Sequence, residues 1–129
     1  MSDAEPFAAA IERAKARLDT LDYYPTPVRI DRVRVVVVPW FFRIPGFRSY
    51  AGYALWRTIL FKEPDVADDL VTHELCHIWQ GQHRRWHMVL TYLRTRYARN
   101  PYEVEARHAV EETGQNGLVA PLRPARLKR

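Results

Sequence analysis

His73 and His77 stand four residues apart, with Glu74 beside the first, in the segment PDVADDLVTHELCHIWQ. At 3.6 residues per turn, both rings leave one face of a helix, a turn apart. Leu70, Val71 and Leu75 give the same helix an apolar side. The fold must be arranged around this helix, because its apolar side needs a core and its polar face needs something to bind. Asp65 is a plausible N-cap, Asp68 and Asp69 suit the first turn, and Gly81 marks an expected end.

The rest of the chain supplies the material to pack on it. Phe7, Ile11, Ala14 and Leu18 recur at helical spacing within residues 4–21. Pro25 and Pro27 stop any helix there. Residues 28–38 alternate apolar and basic and then become wholly apolar, which predicts a strand entering a core. Residues 50–61 (YAGYALWRTILF) predict a second strand, an edge strand weakened by Gly52. A third helix is expected over about 84–99, with Trp86, Val89, Leu90, Leu93 and Tyr97 as its apolar stripe. A fourth starts at Asn100-Pro101 and runs to about Thr113. Helix, strands and then helices is the order of an α+β domain with a small, mostly antiparallel sheet packed on the active-site helix. One domain is expected over 1–129, with its core at about 28–114 and an irregular basic tail at about 115–129.

With 129 residues the chain suits one domain. No apolar run reaches the roughly 18–20 residues of a membrane helix, and MSDAEPF lacks the basic start of a signal peptide. The single cysteine excludes an internal disulfide and fits a reducing compartment. The expectation is a cytoplasmic monomer away from membranes. The net charge of +5 comes largely from arginines at 84–99 and from the last few residues. A solvated helix face and a loose tail account for it more simply than a nucleic-acid surface does.

His73-Glu74-x-x-His77 has the form of a metal site that carries its own base. Two imidazoles can reach one ion at roughly 2.0–2.1 Å. Glu74 lies about 100° around the helix from His73, off the ligand pair and beside the ion's open position. There it can take a proton from water and pass it to a leaving amine, while the metal polarises the scissile carbonyl. Cys76 points off the two-histidine face and reads as a small buried hydrophobe.

The third ligand is left open among four residues. His83 has the spacing of the last histidine in H-E-x-x-H-x-x-G-x-x-H, the metzincin pattern. The glycine of that pattern should fall at 80, where this chain has Gln80 and only then Gly81. In NPYEVEARHA, Asn100 and Pro101 fit the N-cap and first helical positions. Glu103 then takes the capping-box position, with a local job at the backbone N–H of Asn100. Glu105 has no such job and is flanked by Val104 and Ala106, so it is the preferred ligand, ahead of Glu103, His83 and His108.

A short chain with HExxH on one helix and a glutamate from a later helix resembles the gluzincins, and in size the minigluzincins, over roughly residues 30–113. The resemblance implies a minimal zincin-like zinc metallopeptidase, a hydrolase of peptide or protein. It implies His73, His77 and Glu105 as ligands, Glu74 as base and acid, and an edge strand, YAGYALWRTILF, that pairs with extended substrate. It further implies a Tyr or His donor for the oxyanion, to be sought among Tyr97, Tyr102, His83, His87 and His108. Thermolysin-like members carry an acid four residues after the ligand glutamate. Here that position is Ala109, so support for a ligand histidine must come from elsewhere, with Asp68, Asp69 and Glu112 as candidates. A second reading is similar to the Spartan proteases, which degrade DNA-crosslinked proteins. A third is a zincin fold with a purely structural zinc, which would have no need of Glu74.

Overall fold

The computed structural model describes residues 4–94 and 100–114. Among these residues the architecture is α+β, with three α-helices and one three-stranded sheet. Helix α1 spans Ala4–Leu18, strand β1 Arg34–Val37, β2 Gly52–Leu55, β3 Thr58–Phe61, helix α2 Asp68–Arg94 and helix α3 Pro101–Thr113. A 3₁₀ turn covers Pro39–Arg43.

The core begins with α1, ahead of residue 28. Phe7, Ile11, Ala14 and Leu18 are all buried, as their spacing predicts. Phe7 stacks on Phe61 of β3 with ring centroids 5.2 Å apart. At the end of α1, Arg17 reaches Asp69 of α2 at 3.1 Å and both Thr113 Oγ1 (3.0 Å) and the Val110 carbonyl (3.2 Å) of α3. One guanidinium thus ties three helices together. Arg13 grips Asp68 with two bonds, of 2.8 and 3.0 Å.

The sheet order is β1-β3-β2, with β1 parallel and β2 antiparallel to β3. The sheet is therefore mixed, where a mostly antiparallel one was expected. The single strand expected at 50–61 is a hairpin whose tip is Trp56-Arg57, and Trp56 sits there at φ 56°. Tight hairpin tips favour Gly, Asn or Asp, and this one has none of them, so no turn signal was legible. Among the described residues β2 is an edge strand. Lys62 donates to the Ala51 carbonyl at 3.0 Å, and Gly52 faces Phe61. In an antiparallel ladder that phase turns the backbone groups of Gly52 and Ala54 away from β3, toward the open edge.

α2 starts at Asp68, not after Asp65, with the Ala67 carbonyl accepting from Leu70 (3.0 Å) and Val71 (3.2 Å). It also runs straight through Gly81. The break falls at Arg84 (φ −140°, ψ 39°), so the second and third expected helices form one kinked element. Gln82 contributes to this by bonding the backbone N–H and carbonyl of Arg29, at 2.9 and 2.8 Å, which docks α2 on the segment leading to β1. Before the kink, Val71, Leu75, Cys76, Ile78 and Trp79 are buried. Burial pushes the Cys76 thiol well above its ordinary value, as suits a small hydrophobe. After the kink, Trp86 and Leu93 are 74% and 78% exposed, so the stripe expected to pack is open among the described residues. Tyr97 and the basic tail lie outside them. No described helix is long and apolar enough to cross a membrane.

Candidate metal centre

His73 and His77 leave α2 toward the first turn of α3. Asn100 caps that helix, accepting from the Tyr102 N–H at 2.8 Å, and Pro101 opens it as the sequence predicts. Glu103 does not turn back onto the cap. Its Oε1 lies 3.1 Å from His73 Nε2 and its Oε2 2.9 Å from His77 Nε2. The three side chains are buried, and their ligand atoms all lie within 4.8 Å of one another. The third member of the cluster is therefore Glu103, and the preference for Glu105 is corrected.

The reason lies in the face that α3 buries. Tyr102, Glu103, Ala106, Ala109 and Val110 form that face. Glu105 falls off it, where its Oε1 accepts from the Tyr24 hydroxyl at 2.6 Å and from Gln80 Nε2 at 2.9 Å. The sequence carried some signal for this. It was weak, because Ala106 and Val110 share a face with Glu103 while Ala109 is one turn from Glu105, so the spacing alone did not separate the two.

The other expected ligands sit elsewhere. His83 bonds Thr26 Oγ1 at 2.7 Å, lies 3.2 Å from the Trp79 carbonyl and stacks on Tyr24. His108 pairs with Glu112 at 3.2 Å on an exposed surface. Asp68 and Asp69 hold arginines of α1, and Glu112 accepts from Tyr23.

Gln80 was not foreseen as a site residue. Its Nε2 donates both to the Tyr102 carbonyl (2.9 Å) and to Glu105, which fixes the amide with Oε1 facing His77 Nδ1 at 2.7 Å. Nδ1 therefore carries a proton in either charge state of His77, and Nε2 faces Glu103 as a donor when the ring is charged and as a lone pair open to a metal when it is neutral. Burial opposes charge on His77, but the charge and hydrogen bond of Glu103 outweigh it and raise its pKa. Burial also works against ionised Glu103. His77, with hydrogen bonds from both histidines, overcomes it and holds the carboxyl well below the usual range. This buried carboxylate is matched by positive charge, which a divalent cation would supply as well as a proton does.

The donor set fits such an ion. A tetrahedral zinc with bonds of roughly 2.0–2.2 Å separates its ligand atoms by about 3.3–3.5 Å. The histidine nitrogens lie 3.1 and 2.9 Å from the two different oxygens of Glu103, and one ligand atom from each residue lies within 4.8 Å of the others, close enough for one ion.

Beside the cluster lies a cleft of about 510 Å³ that Glu74, His77 and Glu103 share with Tyr53 and Ala54 of β2. Glu74 lies under the edge strand, its Oε2 3.3 Å from where a Cβ on Gly52 would stand. Tyr53 lines the cleft wall and rests on an aromatic cluster of Phe41, Phe47 and Tyr50. Burial first, then the charges of Glu74 and Glu103, raise the pKa of its hydroxyl, so it remains a neutral donor. The donors named from sequence do not line this cleft. His87 and Tyr102 bond each other, and Tyr97 lies outside the described residues.

The chain matches no protein-family model, no curated protein and no solved structure.

Proposed function

We propose that this chain is a zinc metallopeptidase of the HExxH type. The observation that carries the reading is Glu74. It neighbours a buried His73–His77–Glu103 group that can hold a metal, and it opens on a cleft beside a strand edge that no other described strand pairs. A structural metal site has no use for that carboxylate.

In this reading His73, His77 and Glu103 hold the ion, and Gln80 keeps His77 in the tautomer that presents Nε2. A zinc ion there supplies Lewis acidity to the scissile carbonyl and makes water more acidic. The backbone groups of Gly52 and Ala54 bind an extended peptide as an added strand, which fixes the carbonyl over the site. The Glu74 carboxylate takes a proton from water and returns it to the departing amine nitrogen. The Tyr53 hydroxyl donates to the oxygen on which negative charge develops.

The test is metal content together with hydrolysis of a quenched-fluorescent peptide library. The reading requires about one zinc per chain, cleavage that a chelator abolishes, and Glu74→Gln that keeps zinc but not cleavage. A folded protein that takes up no zinc would sink it.

A further inference from the structure

Beyond the hairpin tip, the cleft meets a second concavity. Arg29, Arg32, Arg57, Gln82 and Arg85 line a polar pocket of about 280 Å³, and Asp31 is its only acid among the described residues. Three elements build it: the segment before β1, the β2–β3 tip and α2 at its kink. Gln82 holds the first to the third through both backbone groups of Arg29. None of the four arginines forms an ion pair among the described residues, whereas Arg13 and Arg17 are both committed to aspartates. A further hollow, shared by Arg32, Arg34 and Arg57, continues the basic surface around the tip.

Two residues join this pocket to the cleft. Arg85 lines both, and its guanidinium lies 5.3 Å from the ring centroid of Trp56, which lines the cleft and the outer hollow. Trp56 is 65% exposed and occupies a left-handed position at φ 56° that a bulky residue rarely adopts. Core packing does not explain an exposed, strained tryptophan at this tip. Its ring does hold the Arg85 guanidinium between the cleft and the arginine pocket.

We propose that the arginine pocket is an exosite for an acidic stretch of the polypeptide substrate, a proposal that rests on the peptidase reading. A chain laid along β2 toward Leu55 leaves the cleft past Trp56 and meets the arginines. His77 is seven residues from the kink at Arg84, a rise of about 10–11 Å at 1.5 Å per residue, and Arg85 lies just beyond it. An extended peptide covers the span to Arg85 in about four residues. The preferred substrate therefore carries Asp or Glu roughly four positions from the bond cleaved. Arginines present forked donors that match carboxylates, and four together select for more than one acid.

The test uses the full chain loaded with zinc. Fluorescent peptides share one central sequence and carry either an acidic or a glutamine flank at that distance. On the Glu74→Gln protein the acidic peptide should bind about tenfold more tightly at low salt, and less so as salt rises. Arg32→Gln/Arg57→Gln should remove the preference while leaving the affinity for the glutamine peptide unchanged. Equal binding of the two peptides overturns the exosite. So does a single-stranded oligonucleotide of equal charge that binds more tightly than the acidic peptide and is lost in the same variant. Wild-type turnover separates the two ideas. Cleavage of both peptides at equal rates leaves the peptidase and removes the exosite. Selective binding of the acidic peptide without cleavage retains the pocket's acid preference and removes the peptidase.

Discussion

The Gln80 amide oxygen stands 2.7 Å from His77 Nδ1, and the same amide's nitrogen bonds Glu105 at 2.9 Å. This is a relay: Tyr24 donates to Glu105, Glu105 accepts from Gln80, and Gln80 accepts from His77. Such partners fix a ligand's tautomer and orientation, and losing one costs about 10–100-fold in metal affinity. Gln80→Leu should therefore weaken zinc binding by that factor in competition with a chromophoric chelator. An unchanged affinity would mean that His77 needs no help from Gln80.

Two glutamates on one helix should separate cleanly. Glu103→Ala removes a ligand and should reduce bound zinc to a trace in elemental analysis. Glu105→Ala should leave the zinc content near that of the parent at saturating metal, with affinity lowered through the Gln80 relay by about 10-fold. The reverse order of effects would restore Glu105 as the ligand.

How far the site was legible depended on which helix carried each part. HELCH declared itself because two ligands and the base share one helix, where spacing alone sets geometry. The α3 contribution was harder, because local and tertiary demands compete for the same residue. The capping-box rule gave Glu103 a local bond, but tertiary packing turned it onto the histidines instead. The stripe of Ala106, Ala109 and Val110 borders both glutamates, and only the fold shows that Glu103 joins its buried face. The α1 stripe and the α+β order could be read in advance. The hairpin could not, because its tip is Trp56-Arg57, and neither could the continuous α2, because Gly81 carries no mark of whether it caps or continues a helix. Gln80 drew attention as a residue where a metzincin would need glycine. Its amide orientation arises from Tyr102 and Glu105, which only the fold brings to it.

Tyr53→Phe tests the oxyanion assignment. The ring and its aromatic neighbours stay, so zinc content and thermal stability should change little. The turnover number should fall by about 10²-fold, the scale for loss of one oxyanion donor, with KM nearly unchanged. A loss confined to KM would reassign Tyr53 to peptide binding.

Alkaline pH should destabilise the fold through Tyr23 and Tyr24. Burial raises both hydroxyls, and hydrogen bonds to Glu112 and Glu105 raise them further. A folded-state pKa above the unfolded value favours the protonated form in the folded state. The stability it contributes is complete below the ordinary tyrosine value of 10.0 and is lost as pH rises beyond it toward the folded value. Melting temperatures measured from about pH 8 to 11 should fall over that upper window, and more gently in Tyr23→Phe/Tyr24→Phe. An identical slope in the double variant would assign the alkaline loss to other groups.

Two glycine-to-alanine changes should act in opposite directions. A Cβ on Gly52 would stand 3.1 Å from two ring carbons of Phe61 and 3.3 Å from Glu74 Oε2. Phe61 is fully buried and stacked on Phe7, so it has little room to yield. Gly52→Ala should cost about 1–3 kcal/mol, the range for overpacking, and lower the melting temperature by several degrees. It should also displace Glu74, so that cleavage falls more than zinc content does. At Gly81 a Cβ meets nothing within 4 Å, and the residue lies inside α2 without the positive φ of a helix cap. Gly81→Ala should stabilise the chain by about 0.5–1 kcal/mol, because alanine loses less backbone entropy on entering a helix. A lower melting temperature for Gly81→Ala would mean that the helix ends at this glycine after all. In that case α2 would not run on to the kink at Arg84, and Arg85 would lose the helix that holds it against Trp56.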